Sequence, residues 1–290
     1  MKGGRLNVLL LTAPAVLLML VFLVGPLLCL LVLSFTDYQL GAPTISLVGL
    51  ANYEEMSTDA TVRISIANTL IYVAIVVPTS VLLGLGAALL IDADGSLRGL
   101  YSAAYFLPVM ATLIAMAIVW GFMLDPRIGA VNFALKAMGF KAQNFLQDRH
   151  LVLYTLCAIG IWQSVGFNMV LFMAGLTAIP SELYEAAAID GARRGGSRFA
   201  LVTWPMLAPV TLFTVVITAI RAFQVFDTVQ VLTDGGPNKA SAVLLHTIYA
   251  EAFGYFRVGY AAALVVVFLA FILALSAIRV FVLDRRRQAS

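Results

Sequence analysis

Long apolar runs separated by short polar segments are the dominant pattern of this chain. A helix needs about 20 mostly apolar residues to cross the hydrocarbon core of a bilayer. Six runs are long enough, at residues 8–34, 66–91, 100–124, 151–179, 200–224 and 258–283. The pattern therefore predicts an all-α integral membrane protein with six transmembrane helices. No internal repeat or low-complexity stretch interrupts it, so we expect a single transmembrane domain over residues 1–290.

Composition strengthens this prediction. Hydrophobic residues make up 62% of the 290 residues and charged residues only 11%, whereas about a quarter of an ordinary soluble domain is charged. The first apolar run follows Lys2 and Arg5, as in a signal peptide, but it is too long for one and lacks a small-residue cleavage site. We interpret it as a retained signal anchor.

Basic residues set the predicted orientation. Cytoplasmic loops of membrane proteins collect Lys and Arg, and placing both the N- and the C-terminus in the cytoplasm puts most of these residues inside. The inside set is Lys2, Arg5, Arg98, Arg193, Arg194, Arg198, Arg279, Arg285, Arg286 and Arg287. We therefore expect a multi-pass protein with both termini cytoplasmic.

Common catalytic and metal-binding motifs are absent from the sequence. It contains no GxxxxGK[ST] loop for nucleotide phosphates, no HExxH and no GxSxG. Cys29 and Cys157 lie within apolar runs, while His150 and His246 fall in predicted outside loops, so no metal-ligand spacing occurs. The formal net charge of +3 gives no reason to expect nucleic acid. We expect no enzyme active site and no metal or cofactor bound by this chain.

Two predicted outside segments carry features of folded structure. Residues 125–150 contain the apolar stretch VNFALKAMGF, which suits a membrane interface. Residues 241–256 carry four aromatic side chains, Tyr249, Phe253, Tyr255 and Phe256. These either anchor the segment at the lipid headgroups or pad the helix bundle, and the sequence leaves both roles open.

The polar segment between the fourth and fifth runs predicts a short helix. Ser181 offers a side-chain oxygen to cap a helix over ELYEAAAID, and Gly191 is expected to end it. Glu182, Glu185 and Ile189 then share one side, because they are three and four residues apart. That side presents two carboxylates and an apolar contact.

A cationic stretch follows and returns the chain to the membrane. Arg193, Arg194 and Arg198 surround two glycines. Pro205 and Pro209 are expected to bend the start of the fifth span, because each removes a backbone hydrogen bond. By composition alone this is an ordinary cytoplasmic loop with an alanine-rich turn, but the order of its residues is more specific.

The segment resembles the EAA motif of ABC importer permeases, a Glu-Ala-Ala followed by Asp-Gly-Ala, an aromatic residue and prolines. The matching residues are Glu185, Ala186, Ala187, Asp190, Gly191, Ala192, Phe199, Pro205 and Pro209. Trp204 stands where that family more often has a leucine. Further on, FQVFDTVQVLTDGGPNKAS over residues 223–241 looks like the corresponding loop of maltose-permease-like carbohydrate importers. The similarity then covers nearly the whole chain.

The resemblance implies the type I ABC importer permease fold and a place in the bacterial inner membrane. It implies a permease subunit of an ATP-driven importer that moves a sugar or sugar derivative into the cytoplasm. The implied partners are a second permease of different sequence, two ATP-binding subunits that hold ATP and Mg²⁺, an extracytoplasmic solute-binding protein and membrane lipid.

The resemblance also implies roles for the loop of residues 180–199, termed the coupling loop below. The resemblance implies that Ser181 to Gly191 within it is the coupling helix, which is seated in a cleft of the ATP-binding subunit. Coupling is assigned to Glu185 and Gly191, with support from Ala186 and Asp190. Ser181 and Glu182 begin the same helix.

Polar side chains in the fourth and fifth runs are candidates for the transport path, because polar groups inside a bilayer usually face a cavity or another helix. The candidates are Trp162, Gln163, Ser164, Phe167 and Asn168 in the fourth run, and Thr218, Arg221, Phe223 and Gln224 in the fifth, close to Asp227. Aromatic rings suit the C–H faces of a sugar, while amides and hydroxyls replace its hydrogen bonds to water. The resemblance likewise implies substrate contacts in these two helices.

Other roles for these side chains stay open. Gln163 and Asn168 are equally suited to bonding neighbouring helices. Arg221 has three options: it reaches the outer surface, pairs with Asp227 or meets an anionic substrate.

Weaker candidates lie in the second run. Asn68 and Tyr72 are polar positions within it, whereas Gly84 and Gly86 are expected to permit close helix packing.

Two other functions compete with an ATP-driven permease. A secondary transporter driven by an ion gradient is expected to carry an intramembrane acid or a broken-helix ion site, and none is evident in the sequence. A membrane scaffold without transport activity is the second, and it would not stimulate a partner ATPase.

Overall fold

The structure, a computed structural model, describes residues 2–93, 105, 107, 109–110, 112–192 and 195–287. Secondary structure within these residues is helical apart from an isolated bridge between Thr36 and Leu47. The all-α prediction is therefore confirmed. Arg98, Arg193 and Arg194, together with much of the first half of the predicted span 100–124, lie outside the described residues.

The described chain contains thirteen α-helices. They are α1 (Lys2–Met19), α2 (Gly25–Leu33), α3 (Ala51–Thr58), α4 (Ala60–Ala93), α5 (Leu113–Met123), α6 (Ala130–Ala137), α7 (Val152–Thr177), α8 (Ser181–Ile189), α9 (Gly196–Arg198), α10 (Trp204–Phe223), α11 (Asp227–Leu232), α12 (Leu244–Tyr249) and α13 (Val258–Arg287). The described residues also contain π-helical segments at Leu20–Val24, Phe199–Thr203 and Ala250–Gly254.

Four stretches of described helix are long and apolar enough to cross a membrane. They are Leu11–Leu33, Ala60–Asp92, Val152–Thr177 and Gly196–Leu232. They correspond to four of the six predicted spans. The other two predicted spans, 100–124 and 258–283, contain the shorter apolar helical stretches Leu113–Met123 and Val258–Ala274.

The start of α10 shows how the structure accommodates the prolines predicted to bend it. Pro205 lies in the first turn of α10, and the π-helical segment directly precedes it. The Trp204 N–H donates to the carbonyl of Phe199, five residues earlier. Proline removes a backbone donor from the regular ladder, and a wider turn of this kind is a known response inside α-helices. Pro209 lies within α10, which continues to Phe223.

The chain forms two compact units by its internal contacts. The first unit comprises Met1–Arg63 and Thr247–Ile272. Within it, the buried Asn52 donates from its side-chain amide to the carbonyls of Ser34 and Thr36, at 2.9 Å each. This amide ties α3 to the residues that follow α2.

Asp59, between α3 and α4, is held in its ionised form. Burial acts to raise the pKa of its carboxyl, but hydrogen bonds from the Thr61 N–H and from the Tyr260 hydroxyl outweigh burial and lower that pKa. The carboxylate therefore accepts both bonds at neutral pH.

The second unit, Ile64–His246 with Leu273–Ser290, contains a hydrophobic core of buried side chains. In this core α4, α7 and α10 contribute fully buried apolar side chains, including Val76, Met169, Phe172 and Leu207. A Cβ added at Gly84 would lie 2.7 Å from the Cβ of Asn168, so α4 and α7 approach closely there. The prediction of close packing is confirmed at Gly84.

At Gly86 the same prediction is wrong. An added Cβ there meets no described atom within 4 Å. Gly86 is two residues from Gly84 and therefore faces another side of α4.

The predicted outside segment 125–150 is folded around one side chain. Asn132 on α6 is 1% exposed, its amide donates to the carbonyls of Leu124, Asp125 and Gln143, and its oxygen accepts from the Gln143 N–H. Phe133 beside it is 76% exposed. The helix therefore buries its polar contact and presents an aromatic side chain outward, as an interfacial helix does.

The aromatic side chains of residues 241–256 are also exposed in the single chain. Tyr249, Phe253, Tyr255 and Phe256 retain between 42% and 66% of their accessible surface. They do not pad the core of their own unit.

Candidate functional site

The coupling loop forms the predicted helix, α8, with one correction at its start. Ser181 is the first helical residue and Pro180 precedes it as the cap, without a side-chain capping hydrogen bond. The prediction that the Ser181 side chain caps the helix is wrong. Proline fixes an extended backbone that leads into the first turn, and Ser181 is already inside that turn. Glu182 remains the acidic residue of the first turn.

The end of α8 agrees with the prediction at Gly191. This glycine has φ = +89°, a conformation that residues with a Cβ rarely adopt. The Gly191 N–H donates to Ala188 at 3.3 Å and the Ala192 N–H donates to Ala187 at 2.8 Å. These two bonds form a Schellman motif, and its apolar contact is supplied by the buried Ala187 and Ala192.

One face of α8 packs inward and the other is free. Ala187 is 9% exposed, and Tyr184, one turn earlier, is half-buried. On the opposite face Glu182, Glu185 and Ile189 are exposed, and Ile189 retains 87% of its surface. Ala186, Asp190 and Gly191 are also exposed. The exposed face of α8 thus carries Ile189 together with the carboxylates of Glu182 and Glu185.

Tyr184 connects α8 to the chain that leads into α10. Its hydroxyl lies 3.3 Å from the Thr203 hydroxyl, and the guanidinium carbon of Arg198 lies 4.0 Å from the centre of its ring. Thr203 belongs to the π-helical segment before α10 and is buried. The inward face of α8 is therefore fixed to the start of the fifth span.

A cavity of about 100 Å³ lies among α4, α7 and the end of α10. Of the nine predicted path residues, Gln163, Ser164, Arg221 and Gln224 line it. Gln163 and Ser164 share a face of α7 with Gly160, three and four residues earlier. At about 100 Å³ it is smaller than the roughly 300–1,000 Å³ of typical ligand pockets.

Arg221, which lines this cavity, stacks on Phe167, which does not line it. The guanidinium carbon lies 4.3 Å from the centre of the Phe167 ring. Among the described residues no carboxylate lies within ion-pair distance of Arg221, although Asp227 lines the same cavity. Of the three options for Arg221, pairing with Asp227 is therefore not seen among the described residues, and the guanidinium stacks on Phe167.

Asn168 and Thr218 lie inside the bundle. Asn168 is 0% exposed, its oxygen accepts a 2.7 Å hydrogen bond from the Thr218 hydroxyl, and its amide donates to Ser80 at 3.2 Å. These three side chains connect α7, α10 and α4. The geometry favours the role of bonding neighbouring helices for Asn168.

The remaining candidates are placed outside the cavity lining. Trp162 packs edge to face on Trp120 of α5, with ring centres 5.4 Å apart. Phe223 is buried. Asn68 uses its amide to donate to the carbonyls of Lys239 and Ala242.

Two contributors to the cavity carried a weak signal or none in the sequence. Tyr72 is 5% exposed and lines the cavity, with its hydroxyl against Gly160 of α7. Any side chain at Gly160 would collide with this hydroxyl. Polar type alone pointed to Tyr72, and no sequence signal pointed to Gly160, because the contact joins residues far apart in the chain. Within the described residues no group of three or more His, Cys, Asp or Glu side chains is placed to hold a metal ion.

Comparison with known proteins gives a consistent result. Residues 80–288 match the family described as binding-protein-dependent transport system inner membrane component. The chain is 31% identical over 280 residues to the sn-glycerol-3-phosphate transport system permease protein UgpA of Agrobacterium fabrum, covering 96% of this chain and 94% of that one. It is 32% identical over 273 residues to the arabinooligosaccharides transport system permease protein AraP of Bacillus subtilis, covering 92% and 85%.

The fold also has a solved counterpart. The structure aligns with a chain of a bacterial alginate ABC transporter, crystallised in complex with an alginate pentasaccharide-bound periplasmic protein, with a TM-score of 0.82 at 21% identity. The alignment covers 96% of this chain and 93% of the other. The two chains share an all-helical fold.

Proposed function

Because the chain belongs to the family of binding-protein-dependent transport system inner membrane components, we propose that it forms, with a second permease, a path for a sugar or sugar derivative. As a member of that family it is the multi-pass inner membrane permease subunit of an ABC importer, and it has no ATPase site of its own. The named relatives serve sn-glycerol-3-phosphate and arabinooligosaccharides, which supports this solute class.

The proposed partners follow from what this chain lacks and what it presents. ATP and Mg²⁺ are bound by two separate ATP-binding subunits, because no phosphate-binding loop occurs here. A solute-binding protein delivers the solute from outside. Six transmembrane helices with both termini in the cytoplasm place α8 on the side of the ATP-binding subunits.

The exposed face of α8 is the observation that carries the proposal. Glu182, Glu185 and Ile189 lie on a helix whose opposite face is fixed by Tyr184 and Ala187. Such a helix enters a cleft of another subunit without rearranging its own support. ATP-driven closure of the two ATP-binding subunits then moves α8 and, through Tyr184, the start of α10. Ser181, Ala186, Asp190 and Gly191 complete the docking region.

The transport path is proposed along the cavity face of α7 and the end of α10. Gln163, Ser164, Arg221 and Gln224 contact the solute, while Phe167 supports Arg221. Asn168 and Thr218 hold the helices that carry these side chains. Trp162 and Phe223 contact the solute only after the helices move, since neither lines the cavity in this structure.

A charge reversal on α8 tests the proposal. Glu185→Lys should leave the protein in the membrane yet abolish both co-purification of the ATP-binding subunits and ATP-dependent uptake into proteoliposomes. Glu54→Lys is the matched control, because Glu54 is also an exposed acid on a short helix. The Glu54→Lys variant should still co-purify with the ATP-binding subunits. If Glu185→Lys co-purifies with the ATP-binding subunits and supports uptake as well as wild type does, docking of α8 through Glu185 is rejected.

The same proteoliposomes separate the alternative functions. A secondary transporter would accumulate solute under an imposed ion gradient without ATP, and a scaffold would accumulate none. We expect uptake to require ATP and the binding protein.

A further inference from the structure

Arg221 is a cation with unused hydrogen-bond donors at the cavity. A guanidinium carries five N–H donors, and no described residue accepts a hydrogen bond from that of Arg221 or forms an ion pair with it. Its contact within the described residues is the ring of Phe167. A ring face attracts the cation but accepts no conventional hydrogen bond.

Arg221 is exposed in the described chain, so reaching for the surface explains part of this placement. A snorkelling arginine extends its head group toward water along an apolar surface. Arg221 is exposed, but it also lies over the half-buried ring of Phe167 on the neighbouring helix α7 and lines the cavity. Charged groups within a membrane are costly and mark substrate paths or paired sites, and here the pair is missing among the described residues.

The neighbouring polar side chains are free as well. Gln163, Ser164, Gln224 and Tyr72 line the cavity, and none of them has a hydrogen-bond partner among the described residues. Tyr72 is the clearest case, because it is only 5% exposed and its hydroxyl has no hydrogen-bond partner among the described residues. Buried polar groups are nearly always hydrogen-bonded, so a ligand partner is expected for Tyr72. Gln224 is exposed and Gln163 and Ser164 are half-buried, so all three are accessible to the same ligand.

Asp227 defines the other end of the site. Its carboxylate lines the same cavity, is not paired with Arg221, and accepts no hydrogen bond from a described residue. A carboxylate accepts hydrogen bonds from hydroxyl groups, whereas a guanidinium binds phosphate, sulfonate or carboxylate with two parallel bonds. The unpaired charges thus suit two different groups of one solute.

We propose that the solute is a polyhydroxylated anion, whose phosphate, sulfonate or carboxylate group binds Arg221 over Phe167 while its hydroxyl groups donate to Asp227. This inference rests on the proposed import function and specifies its substrate class. Tyr72, Gln163, Ser164 and Gln224 bind the remaining oxygens. Arg221 is therefore the residue that selects charged over neutral solutes.

The test uses the complete importer in proteoliposomes with its binding protein and internal ATP. The probes are a sugar phosphate, a uronate disaccharide and a neutral disaccharide of the same size, each radiolabelled. We expect ATP-dependent accumulation of at least one anionic probe and none of the neutral one. Arg221→Gln should lower uptake of the anionic probe about tenfold or more, since a hydrogen bond to a charged group contributes about 1.5–3 kcal/mol.

Two variants sharpen the result. Arg221→Lys keeps the charge but loses the two parallel bonds, so its uptake should fall between wild type and Arg221→Gln. Arg127→Gln removes an exposed arginine elsewhere on the chain and should leave uptake of the anionic probe at the wild-type level.

The outcomes distinguish the two proposals. Accumulation of the neutral probe at the rate of the anionic ones, or equal anionic uptake by Arg221→Gln and wild type, overturns the anion inference and leaves the import function standing. No ATP-dependent accumulation of any probe, with no ATP-binding subunit co-purifying, overturns the import function itself.

Discussion

The hydroxyl of Tyr184 on α8 lies 3.3 Å from the hydroxyl of Thr203, in the π-helical segment that opens into α10. The Arg198 guanidinium covers the same tyrosine ring. The half-buried Tyr184 thus contacts both α9 and the π-helical segment, which connect α8 to α10. We propose that a displacement of α8 is transmitted to α10 through this contact, because the two hydroxyls cannot separate without losing their hydrogen bond.

Truncation of Tyr184 should separate ATP hydrolysis from transport. Tyr184→Ala removes the ring and the hydroxyl but leaves Glu182 and Glu185 on the opposite face. The ATP-binding subunits should still co-purify, while the amount of solute imported per ATP hydrolysed falls. Parallel assays of uptake and phosphate release measure this ratio.

Tyr184→Phe is the graded control for that prediction. It removes only the hydroxyl, whose hydrogen bond contributes about 0.5–1.5 kcal/mol, and it keeps the ring beneath Arg198. Its ratio of uptake to hydrolysis should lie closer to wild type than that of Tyr184→Ala. An unchanged ratio in Tyr184→Ala would show that α8 drives α10 by another contact.

Gly191 should tolerate asparagine better than alanine. At φ = +89° a Cβ is strained by about 1–2 kcal/mol, so Gly191→Ala should displace the end of α8 and reduce co-purification of the ATP-binding subunits. Asparagine adopts positive φ more readily than alanine, so Gly191→Asn should retain more of this co-purification. Gly196→Ala is the control, since Gly196 has open space and no positive φ. Equal retention by all three variants would contradict the role of the Schellman turn.

Much of the helical fold could be predicted from apolar run length alone, because a bilayer imposes that length. The run 151–179 is α7, Val152–Thr177. The start of α4 was not predictable in this way: the helix begins at Ala60, in a polar stretch before the run. The Asp59 carboxylate accepts a hydrogen bond from the Thr61 N–H there, which is a local bond rather than a hydropathy signal.

The candidate site was only partly predictable, because residue type shows polarity but not direction. Trp162 and Gln163 are adjacent in sequence, yet one packs on Trp120 and the other lines the cavity. Tyr72 depends on Gly160, a contact between distant parts of the chain that no local pattern reveals. The EAA-like segment was more informative, because its helix, its stop and its exposed face all lie within a few consecutive residues.

Two glycines on α4 should respond differently to the same substitution. Gly84→Ala places a Cβ 2.7 Å from the Cβ of Asn168, and overpacking of this kind costs about 1–3 kcal/mol. The thermal midpoint of the detergent-purified importer should fall. Gly86→Ala meets no described atom within 4 Å, so its midpoint should stay level or rise slightly, as alanine favours helix over glycine. Equal shifts for the two would contradict the close approach of α4 and α7.

Thr218 and Thr211, two turns apart on α10, form a matched pair of substitution sites. The Thr218 hydroxyl donates to Asn168 on α7 at 2.7 Å, whereas the Thr211 hydroxyl donates to the Leu207 carbonyl of its own helix at 2.9 Å. Thr218→Val keeps the shape and removes an interhelical bond, which in membrane proteins contributes about 0.6 kcal/mol and up to about 1.7. It also leaves the Asn168 oxygen buried without this donor.

Thr218→Val should therefore lower the thermal midpoint more than Thr211→Val does. Asn168→Ala, which removes the bonds to both Thr218 and Ser80, should lower it further. The double variant Asn168→Ala with Thr218→Val should be no less stable than Asn168→Ala alone, since the hydroxyl has then lost its acceptor. A fully additive loss in the double variant would mean that Thr218 stabilises the bundle through some contact other than Asn168.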